Sequence, residues 1–316
     1  MAADTRPVLY IRDSASLAPL WRDAAQNGLP QFDVQIGRSN LDLDRVTAAL
    51  VWKPAPGFLA SLPNLKLVVS VGAGVDHIVM SDPDFPRHVP LVRMVDPGLT
   101  QGMIDFVVWA CLSILRKAKF FANEQLAKRW EAKPIETSPN KTIAVLGLGQ
   151  IGLPVARMLK KLGFQVIGWS RRYKKVEDLH LVHGSDELKA LVGRADMVVN
   201  LLPSTRDTYQ IMGTEFFSSM KKGAAIINAG RGATVDENAL LEALSSGQLS
   251  EAYLDVFQVE PLPSEHAFWI HPKITITPHI AAITHPKSGI RALKRALAEI
   301  EANKPLSNLV DWNAGY

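Results

Sequence analysis

TIAVLGLGQIGLPVARMLKKLGFQVIGWSRR, residues Thr142–Arg172, is the stretch whose reading decides the fold. Ile143–Leu146 is a short apolar run, the pattern of a parallel strand buried on both faces. Gly147-Leu148-Gly149-Gln150-Ile151-Gly152 follows at once and matches G-x-G-x-x-G. Apolar residues then recur at helical spacing (Ile151, Val155, Met158, Leu159, Leu162), Gly163 stops the helix, and Phe164–Trp169 reads as the next strand. Strand, glycine turn, helix and strand in succession form a dinucleotide-binding unit. Gly147 allows the tight turn, Gly149 lets a pyrophosphate approach the backbone, and Gly152 lets helix and strand pack closely. Gln150 and Ile151 lead into the helix N-terminus, whose N–H groups and positive dipole end suit phosphate. Pro154 falls in the first turn, where a missing N–H costs little.

The second strand ends at Trp169-Ser170-Arg171-Arg172. An NAD-selective site places Asp or Glu here, roughly 20 residues after the first glycine, to bind the ribose 2′-hydroxyl. Ser170 is neutral and two arginines follow, a set that can hold a 2′-phosphate. Glu177 and Asp178 lie too far along the chain to substitute. NADPH is therefore expected as the preferred cofactor, with NADH a possible second.

The 316 residues suit two domains with sizeable cores. A hydrophobic content of 47% and a charged content of 21% are ordinary for a globular protein. The net charge of +4 and pI near 9.1 are a mild basic bias whose densest cluster, Arg171–Lys175, is the one assigned to phosphate. Nucleic-acid binding needs a longer basic face. The lone cysteine, Cys111, rules out an internal disulfide framework and reads as buried filler. The N-terminus MAADTRPVLYIRD lacks a signal-peptide core, and no stretch of about 18 apolar residues is evident. A cytoplasmic location is expected, with no membrane contact and no metal.

Upstream, strands are expected at Val8–Ile11, Phe32–Ile36, Ala49–Trp52, Leu67–Ser70 and Val89–Met94, with helices over Leu17–Asn27 and near Leu43–Ala48. Alternating strands and helices imply a parallel sheet. Asp96-Pro97-Gly98 breaks the chain and marks the domain crossover. Gln101–Arg116 is apolar almost all round, so it must be covered on both sides. A partner subunit is the expected cover on one side, which makes the protein a homodimer through the 101–116 helix region. Downstream, strands are expected at Met197–Leu201, Ala225–Asn228, Ala252–Val256 and Ile274–Thr277, and helices at Glu237–Ser245 and Ile290–Ala302. The expected domains are 1–97 plus 286–316 for substrate and 98–285 for the nucleotide.

Three segments place polar groups at strand ends, where ligands bind in doubly wound sheets. They are Asn228-Ala229-Gly230-Arg231-Gly232, Leu254–Pro261 with Asp255 and Glu260, and Thr277-Pro278-His279-Ile280-Ala281. Val71-Gly72-Ala73-Gly74-Val75-Asp76 also follows a strand, and its glycines can expose successive N–H groups to an anion. After a dinucleotide unit, an Arg, a Glu and a His suggest acid–base chemistry on an anionic substrate.

VGAGVD, LGLGQIG, NLLPST, NAGRG, LDVFQVEPLP and TPHIAA, in this order, resemble the D-isomer-specific 2-hydroxyacid dehydrogenases along nearly the whole chain. VWKP, MVDPGL, GWSRR, FWIHP, TPHIAAIT and a C-terminal Gly-Tyr resemble the glyoxylate/hydroxypyruvate reductase A subgroup. The resemblance implies two Rossmann-like or flavodoxin-like parallel-sheet domains with the active site in the cleft between them. It implies Arg231, Glu260 and His279 as the catalytic set. Arg231 offers a donor fork to the substrate carboxylate and ketone. His279 is the general acid, and Glu260 orients it and favours its protonated form. The amides of Gly72, Ala73, Gly74 and Val75 would hold the carboxylate, with Trp52 lining the site. Leu202 and Pro203 would flank the cofactor, Ala229 would lie near the nicotinamide ribose, Asp255 would bind the nicotinamide carboxamide, and Gly230 and Ala281 would also belong to the cofactor site. Phe268 and Trp269 either limit substrate size or serve packing. The implied activity is NADPH-dependent reduction of glyoxylate, hydroxypyruvate or a similar small 2-keto acid. A bulkier acid such as phenylpyruvate is the alternative substrate, and an NAD(H)-sensing regulator on the same fold is a third reading.

Overall fold

The computed structural model describes residues 5–13 and 17–312. The C-terminal Gly-Tyr used in the subgroup resemblance, and the first four residues of the N-terminus, lie outside the described residues. The chain forms two compact units, Met1–Leu99 with Ile283–Tyr316, and Thr100–Ala282.

The smaller unit is built on β1 (Val8–Arg12), α1 (Ala18–Gly28), β2 (Asp33–Ile36), β3 (Val46–Val51), β4 (Leu67–Ser70), α2 (Asp76–Val79) and β5 (Leu91–Val92). Its five strands run parallel in the order β2-β1-β3-β4-β5. The helix expected near Leu43–Ala48 is absent. A single 3-10 turn, Leu43–Arg45, leads directly into β3, which is buried between β1 and β4. Short apolar runs carry no decisive period, and burial on both faces settles this one as strand. The strand expected over Val89–Met94 shrinks to two residues.

The larger unit opens within α3 (Pro97–Leu115), which begins earlier than expected because Asp96 caps it. Asp96 Oδ1 accepts from the amides of Gly98 at 2.7 Å and Leu99 at 3.3 Å, and Pro97 occupies the first position, where no N–H is needed. Asp96-Pro97-Gly98 therefore starts a helix instead of interrupting the chain. The helix is long and apolar enough to cross a membrane by length and composition, with mean hydropathy 1.5 over its window, although Thr100, Gln101, Asp105 and Ser113 interrupt its apolar run. Its apolarity has a local cause, since Val107, Ala110 and Cys111 are buried against Ile143, Val145 and Val199.

Then follow α4 (Ala118–Leu126), β6 (Thr142–Leu146), α5 (Gly152–Lys161), β7 (Gln165–Ser170), β8 (His180–His183), α6 (Gly184–Val192), β9 (Met197–Asn200), α7 (Thr214–Ser219), β10 (Ala224–Asn228), α8 (Glu237–Ser245), β11 (Leu249–Leu254) and β12 (Ile274–Ile276). Seven parallel strands run β12-β11-β10-β9-β6-β7-β8. Alternate residues of β6 serve opposite cores: Ile143 and Val145 meet α3 and α5, while Ala144 and Leu146 meet the side of α6, α7 and α8. This double coverage is why its strands read as unbroken apolar runs. Chain order reverses between β6 and β9, the position where a doubly wound sheet leaves a crevice at its carboxyl ends. The closing helix, α9 (Pro286–Glu301), packs on α1, with Gly289 against the ring of Trp21.

Candidate functional site

Four loops leave the carboxyl ends of β6, β10, β11 and β12, and each carries one of the expected groups. At β6, Gly147 sits at φ 95°, and a Cβ on Gly152 would lie 1.9 Å from the Gly147 carbonyl oxygen. The turn therefore demands glycine at both positions. At Gly149 an added Cβ meets no described atom within 4 Å. Gln150 and Ile151 complete the turn ahead of α5, which starts with no side-chain cap.

At β10 the chain passes Ala229 and Gly230 to Arg231. A buried amide network sets this path. Asn200 Nδ2 donates to Asn228 Oδ1 and to Thr234 Oγ1, both at 2.8 Å. Thr234 Oγ1 in turn donates to the Arg231 carbonyl at 2.6 Å, and Asn228 Nδ2 donates to the same oxygen at 3.2 Å. The Asn200 carbonyl group of the side chain also accepts from Leu202 N–H at 3.2 Å, which holds the segment running into Pro203. Asn200, Asn228 and Thr234 were not singled out as site residues from sequence. The signal for Asn200 and Asn228 is the polar ending of two otherwise apolar strands, and Thr234, in the turn after Arg231, has none. The turn is also fitted to the next loop, because a Cβ on Gly232 would lie 1.9 Å from the Phe257 carbonyl carbon.

At β11, Asp255 is buried and accepts three hydrogen bonds. Its Oδ1 takes the Thr277 hydroxyl at 2.6 Å and the Ile280 amide at 2.9 Å, while Oδ2 takes the Ala281 amide at 2.9 Å. Asp255 is thus the brace for the loop after β12. Within that loop His279 adopts φ 56°, a left-handed conformation rare for a side chain with a Cβ, and its N–H donates to the Asp255 carbonyl at 2.9 Å. Held strain at one residue inside a hydrogen-bonded frame is characteristic of functional positions.

The structure brings His279 and Glu260 together. His279 Nδ1 and Glu260 Oε2 are 2.8 Å apart, and Glu260 Oε1 accepts the Phe257 amide at 3.1 Å. Pairing through Nδ1 turns the other ring nitrogen, Nε2, away from the carboxylate. Phe268 lies in the core beside Phe257, so it packs the larger unit, and Trp269 donates its indole N–H to the Pro263 carbonyl at 2.8 Å.

At the end of β7, Ser170 donates to the Arg172 carbonyl at 2.8 Å, and Arg171 pairs with Asp207 on the loop after Pro203. Asp178 is engaged elsewhere. Arg157 of α5 grips it with two bonds of 2.9 and 3.0 Å, and this hydrogen bonding holds its carboxyl below the usual carboxylate range. One contact went unforeseen: Lys174 Nζ donates to the Leu148 carbonyl at 2.8 Å, pinning the basic loop to the glycine turn.

In the smaller unit, Trp52 and the Gly72–Val75 turn leave the carboxyl ends of the neighbouring strands β3 and β4. A ring carbon of Trp52 would meet a Cβ on Gly72 at 2.7 Å, and the ring lies tilted against His77, with centroids 4.0 Å apart. The carbonyls of Gly72 and Gly74 are taken up inside the unit by the Met94 amide and the Ser70 hydroxyl, each at 3.3 Å.

Residues 108–281 match the family model of the D-isomer specific 2-hydroxyacid dehydrogenase NAD-binding domain. A glyoxylate/hydroxypyruvate reductase A of Yersinia enterocolitica is 37% identical over 303 residues, covering 95% of this chain and 96% of that protein. Among solved structures, a D-isomer specific 2-hydroxyacid dehydrogenase from Xanthobacter autotrophicus in complex with NADPH and MES is 38% identical with a TM-score of 0.92, covering 98% of this chain and 100% of the other. An NADPH-dependent glyoxylate/hydroxypyruvate reductase from Sinorhizobium meliloti, in complex with NADP and sulfate, is 35% identical, with the same TM-score of 0.92 and coverage of 98% and 100%.

Proposed function

The chain belongs to the D-isomer specific 2-hydroxyacid dehydrogenases, nicotinamide-dependent oxidoreductases, and we propose that it is an NADPH-preferring reductase of glyoxylate and hydroxypyruvate. The observation that carries the reading is the 2.8 Å pair of His279 and Glu260, on a sheet whose first strand ends in the glycine turn.

When bound, the nicotinamide cofactor supplies hydride to the carbonyl carbon of the substrate. Arg231 presents its planar fork to the substrate carboxylate and ketone oxygen. His279, oriented by Glu260, delivers the proton from Nε2 to the same oxygen, and takes it back in the reverse direction. The open space over Gly149 fits a pyrophosphate, since the protein's own packing gives no reason for glycine there. Gly147, Gln150, Ile151 and Gly152 surround that position. Leu202, Pro203, Ala229, Gly230, Asp255 and Ala281 follow the cofactor along the strand ends. Ser170, Arg171 and Arg172 stand where a 2′-phosphate is read, and the absence of a carboxylate at 170 supports NADPH over NADH. The smaller unit is assigned to substrate, with Trp52 and the Gly72, Ala73, Gly74 and Val75 turn on its carboxylate. A ring as large as Trp52 over that turn favours a small acid.

A homodimer through the 101–116 region completes the reading. Trp109 of α3 and Leu126 of α4 are exposed, and Trp130 is 103% exposed. Apolar surface of this kind marks an interaction site. A light-scattering mass near one 34.7 kDa chain sinks the dimer.

The decisive assay compares kcat/KM for glyoxylate, hydroxypyruvate, pyruvate and phenylpyruvate with each cofactor. Glyoxylate and hydroxypyruvate with NADPH are expected to lead. Preference for phenylpyruvate overturns the substrate, and NADH equal to or better than NADPH overturns the cofactor. Arg231→Ala is expected to raise KM and depress kcat together, because its contact acts in both ground and transition states.

A further inference from the structure

Glu260 orients His279 only if its own loop holds still, and that loop is tied at both ends to one carboxylate. Glu237 is the first residue of α8, next to the capping Asp236, where the helix dipole favours a negative charge. Its Oε1 accepts the Gln258 amide at 3.1 Å, and its Oε2 lies 3.3 Å from His266 Nε2. Glu260 sits between those two anchors in sequence. The side chains of His266 and Glu237 are only 23% and 18% exposed, so solvent screens the pair less than an ordinary surface contact.

The ring of His266 is fixed as well. Its Nδ1 accepts the Phe268 amide at 3.3 Å, which puts the proton of the neutral ring on Nε2, facing Glu237. The ring packs edge-on against buried Phe268, with centroids 4.5 Å apart. Gln258 adds a bond from Nε2 to the Val235 carbonyl at 2.7 Å. The loop is therefore cinched to the start of α8 on both sides of Glu260.

We propose that Glu237 and His266 are positioning residues for the reaction: the carboxylate of Glu237, by bridging Gln258 N–H and His266, sets the direction in which Glu260 meets His279. The inference rests on the reading of His279 as the acid. The charged groups around His279 in this unit include Glu260, on its Nδ1, and Asp255, whose carboxylate takes the two following amides, and Arg231 shares its proposed ligand. Around His266 it is Glu237, with Glu265 beside it in the chain turned toward Ser264. Loss of the tie therefore acts on His279 through Glu260.

The full-length enzyme is assayed with NADPH and glyoxylate from pH 6 to 10, with thermal unfolding in parallel. Three variants separate the hydrogen bonds. Glu237→Gln still accepts from Gln258 but turns an NH2 toward the His266 N–H. His266→Asn keeps an acceptor for Phe268 N–H and loses the tie to Glu237. His266→Gln keeps a donor for Glu237 and loses the acceptor. Glu237→Gln and His266→Asn are expected to lower kcat about tenfold, the scale of a sub-ångström misplacement. They should also move the alkaline limb of the kcat profile down by about one pH unit, as weaker support of the protonated imidazole requires. KM for NADPH should stay within about twofold, and His266→Gln should recover most of kcat and the limb. Should Glu237→Gln fail to fold, His266→Asn, which leaves α8 untouched, carries the same comparison. Variants that lower the unfolding temperature but leave the limb in place overturn the inference alone, as does His266→Gln failing as badly as His266→Asn. A wild-type enzyme with no alkaline limb overturns the role of His279, and this inference with it.

Discussion

The two ends of the seven-stranded sheet are built to different tolerances. Beyond β10, β11 and β12, the functional groups hang from buried polar residues: Asn200, Asn228, Thr234 and Asp255 are all buried and all hydrogen-bonded to the loops they hold. Beyond β7, the groups proposed to read a phosphate are held by exposed contacts. Arg171 pairs with Asp207, and the two side chains are 39% and 65% exposed. Proton transfer fails when two atoms are misplaced by an ångström, whereas attraction between a phosphate and a guanidinium in water survives such motion. Buried networks are costly to leave half-satisfied, so they suit the end where geometry cannot vary. An exposed pair is worth about 0–1 kcal/mol and is screened by salt, which suits the end where selectivity is adjusted.

The contrast can be broken by substitution. His279→Ala is expected to cost roughly 10²–10⁴-fold in kcat, the usual worth of positioned proton transfer; near-wild-type turnover in a steady-state assay removes the catalytic end from the comparison. Asp255→Asn comes next. Its amide must turn an NH2 toward one of the loop's donors, and urea unfolding should show a loss of about 1–3 kcal/mol with a lower kcat. An unchanged kcat would mean that the His279 loop does not depend on its brace. Arg171→Ala should lower kcat/KM for NADPH about tenfold, the effect of one charge-assisted bond, and leave NADH alone. The smallest effect is Asp207→Asn, which frees Arg171 for phosphate. It should raise kcat/KM for NADPH by at most a few-fold at low ionic strength and by nothing at high salt, as exposed charges require.

Legibility followed the same division. The glycine turn, Arg231, Glu260 and His279 stand in continuous segments with their strands, so their neighbours in sequence announce them. The braces do not. Asn200 meets Thr234 across 34 residues, and Glu237 meets His266 across 29, so only the folded sheet makes them partners. The missing carboxylate at Ser170 was readable from sequence, but the pairing of Arg171 with Asp207 was not. Two elements misread locally have local causes. Leu43–Ala48 looked helical because a short apolar run has no decisive period, and Pro97-Gly98 looked like a break because a proline means the opposite at a capped first turn. The strand β8 and helix α6 passed unnoticed because a peripheral strand flanked by charged residues carries little apolar pattern.

Cys111 deserves a use beyond filling space. It is fully buried in α3 and is the chain's sole cysteine, and burial pushes its thiol far above the ordinary range, so little of the reactive thiolate forms at neutral pH. The sulfur is a natural reporter of opening of the larger unit. Labelling by a maleimide should be negligible in the native enzyme and complete in denaturant. Its rate at intermediate urea then times how often that core breathes, with no mutation introduced.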